Sequence, residues 1–488
     1  MQWRERAWLW WGVAGSIAIR VAFLFTQRID SDEPQHLHVA WGWTAGLLQY
    51  RDVFDNHAPL FHILTAPLLA LAGERPTVLF FMRLPMIALW AIVLGATYVI
   101  AKRLYDARIA AWATLLLAVL PPFFLKSLEY RTDNLWNAFW MLAVVALIAQ
   151  RFALAGLLLG LAMATSMKTS LLIVTLLLAA LITRTLTRRW LLLLTAAIPP
   201  ALVAAYFWWR GAWPSLVYCV VTFNRSVGGA WWPRLLWVPA MIAIVIFGRR
   251  RPFWQVATAV FFVTLFSFWV LITPRDVLPF LPFVSIFAAA MLRQRTAIVA
   301  AVCLALIAYY AGGFRNRTRE YTTMMDQVLR LTRPGEMLMD YKGETVFRPR
   351  PYYYIFEAIG RRSNPDVVPE AIVSAHCYVT QADGPFWTPR TRRFLVGNFL
   401  DMGRLRAAGV LVPESGTFNI AVPGEYVALT ERGETRGTLD GTPYAGARRL
   451  ESGAHRFEPA APGELVAILW APAFRRGFSP FHLQDRDF

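Results

Sequence analysis

Long apolar runs follow one another from Trp8 to about Gly312, broken by short polar turns. From Phe314 to Phe488 the apolar runs shorten and Pro, Gly, Arg and Glu become frequent. About 20 apolar residues in a helix cross a hydrocarbon layer of roughly 30 Å. The pattern therefore predicts a polytopic α-helical membrane protein with about 11 transmembrane helices and a C-terminal soluble α/β domain. The expected spans are 8–26, 79–101, 108–125, 134–150, 152–167, 169–183, 190–209, 231–248, 253–272, 276–291 and 296–312. The division predicted is a transmembrane part, 1–313, and a soluble part, 314–488.

Two stretches of the loop 27–78 mix aromatic and aliphatic residues with polar ones, at about 35–49 and 57–72. They read as helices lying in the membrane interface. Trp213, Tyr218, Trp231 and Trp232 edge the loop 210–230, as aromatic residues do at a membrane boundary. In the soluble part Thr318 to Leu331 predicts a helix. Met337 to Asp340, Phe394 to Val396, Val410 to Val412 and Leu465 to Leu469 predict short buried strands. Tyr352-Tyr353-Tyr354 reads as a core strand or membrane-facing edge, or else as an aromatic binding surface.

Composition sharpens this picture. The 488 residues are 57% hydrophobic with a net charge of +18, and the mean hydropathy is +0.42. Such a charge in a soluble protein would point to nucleic acid. Here no nucleic-acid motif accompanies it, and much of it lies in short loops, where it sets topology and meets anionic lipid. Lys occurs only at Lys102, Lys126, Lys168 and Lys342, so the other basic residues are Arg. With abundant Ala and Leu, this bias points to a bacterial, GC-rich genome. Arg4/Arg6, Lys102/Arg103/Arg108, Arg151, Arg184/Arg188/Arg189, Arg249/Arg250/Arg251 and Arg293/Arg295 occupy one set of alternate loops. The positive-inside rule places these in the cytoplasm. The loop 27–78, the turn 126–133, Lys168, the loop 210–230, the turn at Thr273 to Asp276 and the C-terminal domain are then expected outside a bacterial inner membrane. The three cysteines show no zinc or disulfide spacing.

Candidate chemistry gathers on that expected outer side. Asp30, Asp32 and Glu33 follow the first span, where Asp and Pro34 also make a good helix start. Asp55 and His57 stand before the second interfacial helix; they could cap it, or hold a divalent ion or a phosphate. Glu129, Arg131 and Asp133 lie between spans three and four, where Asp133 could cap a helix and the other two could pair at the surface. Lys168 could simply snorkel to the interface; Arg275 and Asp276 share another short turn. Together they offer carboxylates to take a proton and cations to stabilise a departing phosphate. That fits chemistry on a polyprenyl-phosphate head group.

These residues resemble the C-type membrane glycosyltransferase superfamily, in particular bacterial relatives of the dolichyl-phosphate-mannose protein mannosyltransferases and of the lipid A aminoarabinose transferase. The marks are Asp32-Glu33, Tyr50-Arg51-Asp52 leading to Asn56-His57-Ala58-Pro59-Leu60, Asp133, and Lys168 after the Gly156 to Gly160 helix. The resemblance implies an inverting transferase using a polyprenyl-phosphate sugar as donor and a glycan, lipid or protein as acceptor. It implies Asp32 as catalytic base, with Glu33 and Asp133 as further catalytic acids. Lys168, His57, Arg275 and Arg131 become donor-phosphate contacts, and Asp55 with His57 a site for a divalent metal ion. Asn56-His57 stands where the aminoarabinose enzymes carry Lys. Two other readings remain: a transporter or flippase for a lipid-linked glycan, and a non-catalytic membrane assembly subunit.

Overall fold

The computed structural model describes residues 3–185, 190–225, 232–269, 271–310, 315–356, 364–382, 386–461 and 463–482. Arg188, Arg189, Trp231 and the expected boundary at 313/314 lie outside these residues. The chain forms two compact units. A helical unit comprises 1–36, 42–72 and 79–318; a second unit comprises 37–41, 73–78 and 319–488.

In the helical unit the order is α1 (Trp3–Thr26), α2 (Asp32–Thr44), α3 (Leu60–Ala72), α4 (Val78–Leu104), α5 (Ala107–Val119), α6 (Pro121–Lys126), α7 (Thr132–Ile148) and α8 (Phe152–Thr165). There follow α9 (Thr169–Ile182), α10 (Trp190–Trp209), two short helices, α11 (Trp213–Val217) and α12 (Phe223–Arg225), then α13 (Trp232–Gly248), α14 (Phe253–Phe268), α15 (Leu281–Leu292) and α16 (Thr296–Tyr310). A helix meets each expected span. The stretch 108–125 is met by two, because Leu120 precedes Pro121 and is held extended, which ends α5. The last expected span but one starts at Leu281 rather than 276, leaving Arg275 and Asp276 in a turn. Val78–Leu104 and Trp190–Trp209 are long and apolar enough to cross a bilayer, and ten shorter apolar helices accompany them among the described residues. Large apolar side chains stand exposed on the outer faces, including Ile17, Leu181, Leu202, Leu235 and Ile246. An apolar exterior of this extent suits lipid rather than water.

Two local features position the site. Asp30 and Glu33 form a reciprocal start to α2: the Asp30 carboxylate accepts from the Asp32 N–H at 3.2 Å, and the Glu33 carboxylate accepts from the Asp30 N–H at 3.0 Å. The second is the seam between α8 and α10. Gly156 and Gly160 let the two backbones approach so closely that a Cβ at Gly156 would lie 2.2 Å from the Leu192 carbonyl oxygen.

The second unit mixes helices with two sheets. Its strands are β1 (Leu338–Met339), β2 (Val379–Gln381), β3 (Phe399–Asp401), β4 (Leu405–Leu411), β5 (Thr417–Ile420), β6 (Gly424–Thr430), β7 (Gly433–Glu434), β8 (Gly437–Leu439), β9 (Thr442–Tyr444), β10 (Arg448–Leu450), β11 (Gly453–Pro459) and β12 (Ala467–Trp470). One sheet has the order β1-β2-β4-β12-β6-β10, with β3 beside β4 and β7 beside β6; the other is β5-β11-β8-β9. β1 and β2 pair in parallel; the other pairs are antiparallel. The helix expected from Thr318 is α17 (Arg319–Leu331). The stretch Phe394 to Val396 is not a strand. It lies in a helix, Pro389–Asn398, which Thr388 starts by accepting from the Thr391 N–H while Pro389 fills the first position. The three tyrosines 352–354 form no strand either; Tyr352 is buried in the core and donates to the Pro365 carbonyl at 2.6 Å.

Candidate active site

The chemistry-bearing residues of the helical unit form two adjoining groups. The first is an ion-pair network between the start of α2, the α6–α7 turn, the α8–α9 turn and the turn before α15. Arg131 pairs with Asp32 in close contact, with Asp30 at 3.3 Å and with Asp133 at 3.3 Å. Arg275 reaches Asp30 at 2.6 Å, Glu129 at 2.9 Å and Asp32 at 3.7 Å. Lys168 lies between Asp133 at 3.0 Å and Asp276 at 2.7 Å. Lys126 completes the network on Glu129 at 2.6 Å. Asp276 is fixed in its turn by accepting from the Thr273 N–H and hydroxyl, both at 2.8 Å.

Burial divides this network into a floor and a mouth. Glu129, Arg131, Asp133 and Asp276 are buried. The side chains of Asp30, Asp32 and Lys168 keep 30%, 24% and 25% of their exposure, so they can meet a ligand. Burial would push the Asp30 carboxyl up, but Arg275 and Arg131 outweigh it and hold it below the ordinary aspartate value. Burial pulls the Lys168 ammonium down, and Asp133 with Asp276 more than restores it, so it stays charged. Glu129 behaves otherwise: burial raises it, and Arg275 and Lys126 only partly offset that.

Asp133 does not cap α7; it stands in the first turn and its carboxylate goes to Lys168 and Arg131. Glu129 and Arg131 are buried, not a surface pair. Lys168 is ion-paired, not simply snorkelling. Glu33, expected among the catalytic acids, is fully buried. Arg83 of α4 donates to it twice, at 2.5 and 2.8 Å, and the Tyr130 N–H donates at 2.8 Å.

The second group is a histidine cluster. Asp55 accepts from His57 Nδ1 at 2.8 Å and from the Gln49 amide at 2.7 Å, and lies 3.4 Å from His62 Nδ1. His62 Nε2 is 2.9 Å from His36 Nδ1, and the His36 and His57 rings meet edge to face at 4.6 Å. Tyr50 holds the loop by donating to the His57 carbonyl at 2.7 Å. Burial drives both His36 and His62 towards the neutral form, His62 to about 4. Arg131 and Asp32 lie near enough to affect the ionisation of His36, so the two groups are neighbours. His57 bonds to Asp55 rather than to the Arg and Lys side chains.

One ligand atom from each of His36, Asp55 and His62 lies within 4.8 Å of the others. Two neutral imidazoles and a carboxylate are a common donor set for zinc and similar divalent ions. His36 Nε2 is buried without a hydrogen-bond partner among the described residues, so a donor is left over for a cation. The residues present therefore fit a metal. The expected pair was Asp55 with His57; the structure adds His36 and His62. The sequence carried a signal for His62, a polar ring within the otherwise apolar run Leu60 to Leu64. Glu129 and Asp276 stood among the candidates without a role of their own, and Arg83 was not among them. Each stands beside or within an apolar segment, where a charge is costly unless paired.

The family model for dolichyl-phosphate-mannose-protein mannosyltransferase matches residues 56–209, which take in α3 to α10. No curated protein matches the chain in sequence. Among solved structures, the chain resembles ArnT from Cupriavidus metallidurans bound to undecaprenyl phosphate, with a TM-score of 0.57 and 13% identity over 82% of this chain and 98% of that one. The apo form of the same protein gives a TM-score of 0.57 and 14% identity over the same shares. The mannosyltransferase match over residues 56–209 and the fold shared with ArnT support the C-type membrane glycosyltransferase superfamily that the sequence resembles.

Proposed function

We infer that the protein is a polyprenyl-phosphate-dependent glycosyltransferase that inverts the configuration of the sugar it moves. One observation carries this reading: a partly exposed Asp32 stands against Arg131 and Arg275, with Lys168 in the same network. A carboxylate and several cations around one opening are what the reaction requires. The acceptor hydroxyl or amine attacks the anomeric carbon and loses its proton to Asp32. The bond from that carbon to the donor phosphate breaks, and the phosphate leaves with the electron pair, stabilised by Lys168, Arg275 and Arg131. Asp133 orients Lys168 and Arg131. Glu33 and Arg83 hold α2, and so Asp32, against α4 and the α6–α7 turn; Glu33 is a positioning residue.

The likeness to an undecaprenyl-phosphate-bound structure supports a polyprenyl-phosphate donor. A metal held by His36, Asp55 and His62, with His57 on Asp55, would supply a fixed positive charge beside the phosphate. Gln49 holds Asp55 and Tyr50 holds the His57 loop. The expected setting is the extracytoplasmic face of a bacterial inner membrane, with the sheet-containing unit outside. A flippase would use the cations but has no need of five carboxylates among them.

The test is release of free polyprenyl phosphate by the purified full chain in lipid nanodiscs, given polyprenyl-phosphate sugars and a panel of acceptors. Wild type should turn over, and Asp32→Asn should lose about 10²- to 10⁴-fold while accumulating normally. Normal turnover in Asp32→Asn rejects Asp32 as base. No release from any donor by wild type rejects the transferase reading.

A further inference from the structure

The end of the helical unit away from Asp32 holds a second feature, which the transferase reading leaves unused. A partly open cavity of about 370 Å³ lies where α7 ends, α8 begins, α9 ends and α10 and α14 begin. Its walls include Ile148, Leu177, Leu192, Leu193, Phe253 and Trp254, and Thr185 is the one hydroxyl among its lining residues. The volume falls in the range of small-molecule pockets, roughly 300–1,000 Å³. The Gly156–Leu192 seam fixes one wall, because Leu192 contributes both to the seam and to the lining.

The charge around this cavity has one sign. Arg151 precedes the lining Phe152, Arg184 precedes Thr185, and Arg249, Arg250 and Arg251 lead into Phe253. All five are exposed, and none has a carboxylate partner among the described residues. Between Asp133 and Asp276 the sequence contains no Asp or Glu at all. An apolar slot beside uncompensated guanidinium groups complements a molecule with a hydrocarbon chain and an anionic head.

We propose that this is a binding site for an anionic membrane phospholipid, with an acyl chain in the cavity and its phosphate on the arginines. The carrier lipid of the transfer reaction does not fit both places. α7 has 17 residues and is therefore about 25 Å long. Its first turn carries Asp133 beside Arg131 and Lys168, whereas its last residues line the cavity. A phosphate on Lys168 cannot also sit on Arg151.

The proposal is tested by native mass spectrometry of the full chain in detergent, incubated in turn with phosphatidylglycerol, phosphatidylcholine and undecaprenyl phosphate. Wild type should retain phosphatidylglycerol in preference to phosphatidylcholine. Replacing Arg249, Arg250 and Arg251 together by Ala should weaken retention on the order of a hundredfold, at about fivefold per arginine. Leu177→Trp and Leu193→Trp fill the cavity without changing charge, and each should also abolish the preference. Undiminished retention in both tryptophan variants would show a film held by charge alone and overturn the site. Equal retention of phosphatidylcholine, or displacement of phosphatidylglycerol by undecaprenyl phosphate, would overturn it as well.

Discussion

At the start of α7, Arg131, Lys168 and Arg275 each have carboxylates within 3.7 Å. At its far end, Arg151, Arg184, Arg249, Arg250 and Arg251 have none among the described residues. Both sets are cations beside apolar helices, yet they behave as different materials. The paired set is buried or half-buried and geometrically fixed, because a charge taken out of water must be neutralised where it stands. The unpaired set is exposed and keeps its water. Fixed, paired charge suits a reaction, whose dipoles should be in place before the bond breaks. Free surface charge suits a diffuse anionic partner. Chain composition does not distinguish the two; the position of the acids does.

The largest way to break this contrast is to remove a cation from the paired end. Lys168→Met leaves Asp133 and Asp276 facing each other without the ammonium, and takes away a phosphate contact. Transfer should fall by about 10²- to 10³-fold, with a larger effect on kcat than on KM for the donor. Steady-state release of polyprenyl phosphate measures it, and near-normal kcat would remove Lys168 from the reacting site.

Next in size is the buried pair beneath the site. Arg83→Met strands the Glu33 carboxylate in a fully buried position, which should cost about 3–5 kcal/mol of stability. Adding Glu33→Leu should recover most of the loss, since two apolar side chains replace the pair. Thermal melting of the detergent-solubilised protein compares the three forms. Recovery of stability together with recovery of transfer would establish Glu33 as a positioning residue; recovery of stability with transfer still absent would make it catalytic.

The histidine cluster gives a smaller, pH-dependent effect. Burial, helped by His57, lowers His62 from its ordinary 6.5 to about 4, although Asp55 opposes this. In the unfolded chain His62 takes a proton near 6.5, and the folded form refuses it until about 4. Its contribution is therefore present above pH 6.5 and is lost as the pH falls towards 4, up to roughly 3 kcal/mol. His62→Asn should flatten the melting temperature across that window. Zinc should raise the melting temperature of wild type at pH 7 and still do so at pH 5, losing the effect only as the pH approaches 4, where His62 takes up the competing proton. An unchanged melting temperature on adding zinc would count against a metal at His36, Asp55 and His62.

Much of this fold was legible because its signals are local. Each expected span is met by a helix, and Pro121 splits the one at 108–125 in two. The error at Phe394 to Val396 came from giving three apolar residues more weight than the Thr388-Pro389 helix start before them. The site was half legible. Arg131, Lys168 and Arg275 stand out as charges beside apolar runs, and the superfamily resemblance pointed to Asp32 and Asp133. Their pairing was not legible: Arg275 meets a glutamate 146 positions earlier, and Lys168 an aspartate 35 positions earlier. Such contacts depend on how separate turns are brought together by helix packing. His62 was missed because a ring in an apolar helix reads as core until His36 and Asp55 are found beside it.

The smallest effect lies between the two ends, in the α8–α10 seam. A methyl group at Gly156 would stand 2.1 Å from the Thr195 hydroxyl and 2.2 Å from the Leu192 carbonyl oxygen. Thr195 can rotate away; the Leu192 carbonyl is backbone inside α10 and cannot move without the helix. Gly156→Ala should therefore push α10 outward and cost about 1–3 kcal/mol, seen as a lower melting temperature in mild detergent. Gly15, also helical, has nothing within 4 Å of the same methyl position, so Gly15→Ala should leave the melting temperature unchanged or slightly raised. Because Leu192 lines the cavity while Lys168 lies beyond the other end of α8, the displacement should reduce phosphatidylglycerol retention more than sugar transfer. A Gly156→Ala protein that loses transfer first would mean that the two ends are mechanically coupled through α8, and that their separation by charge is not a separation in function.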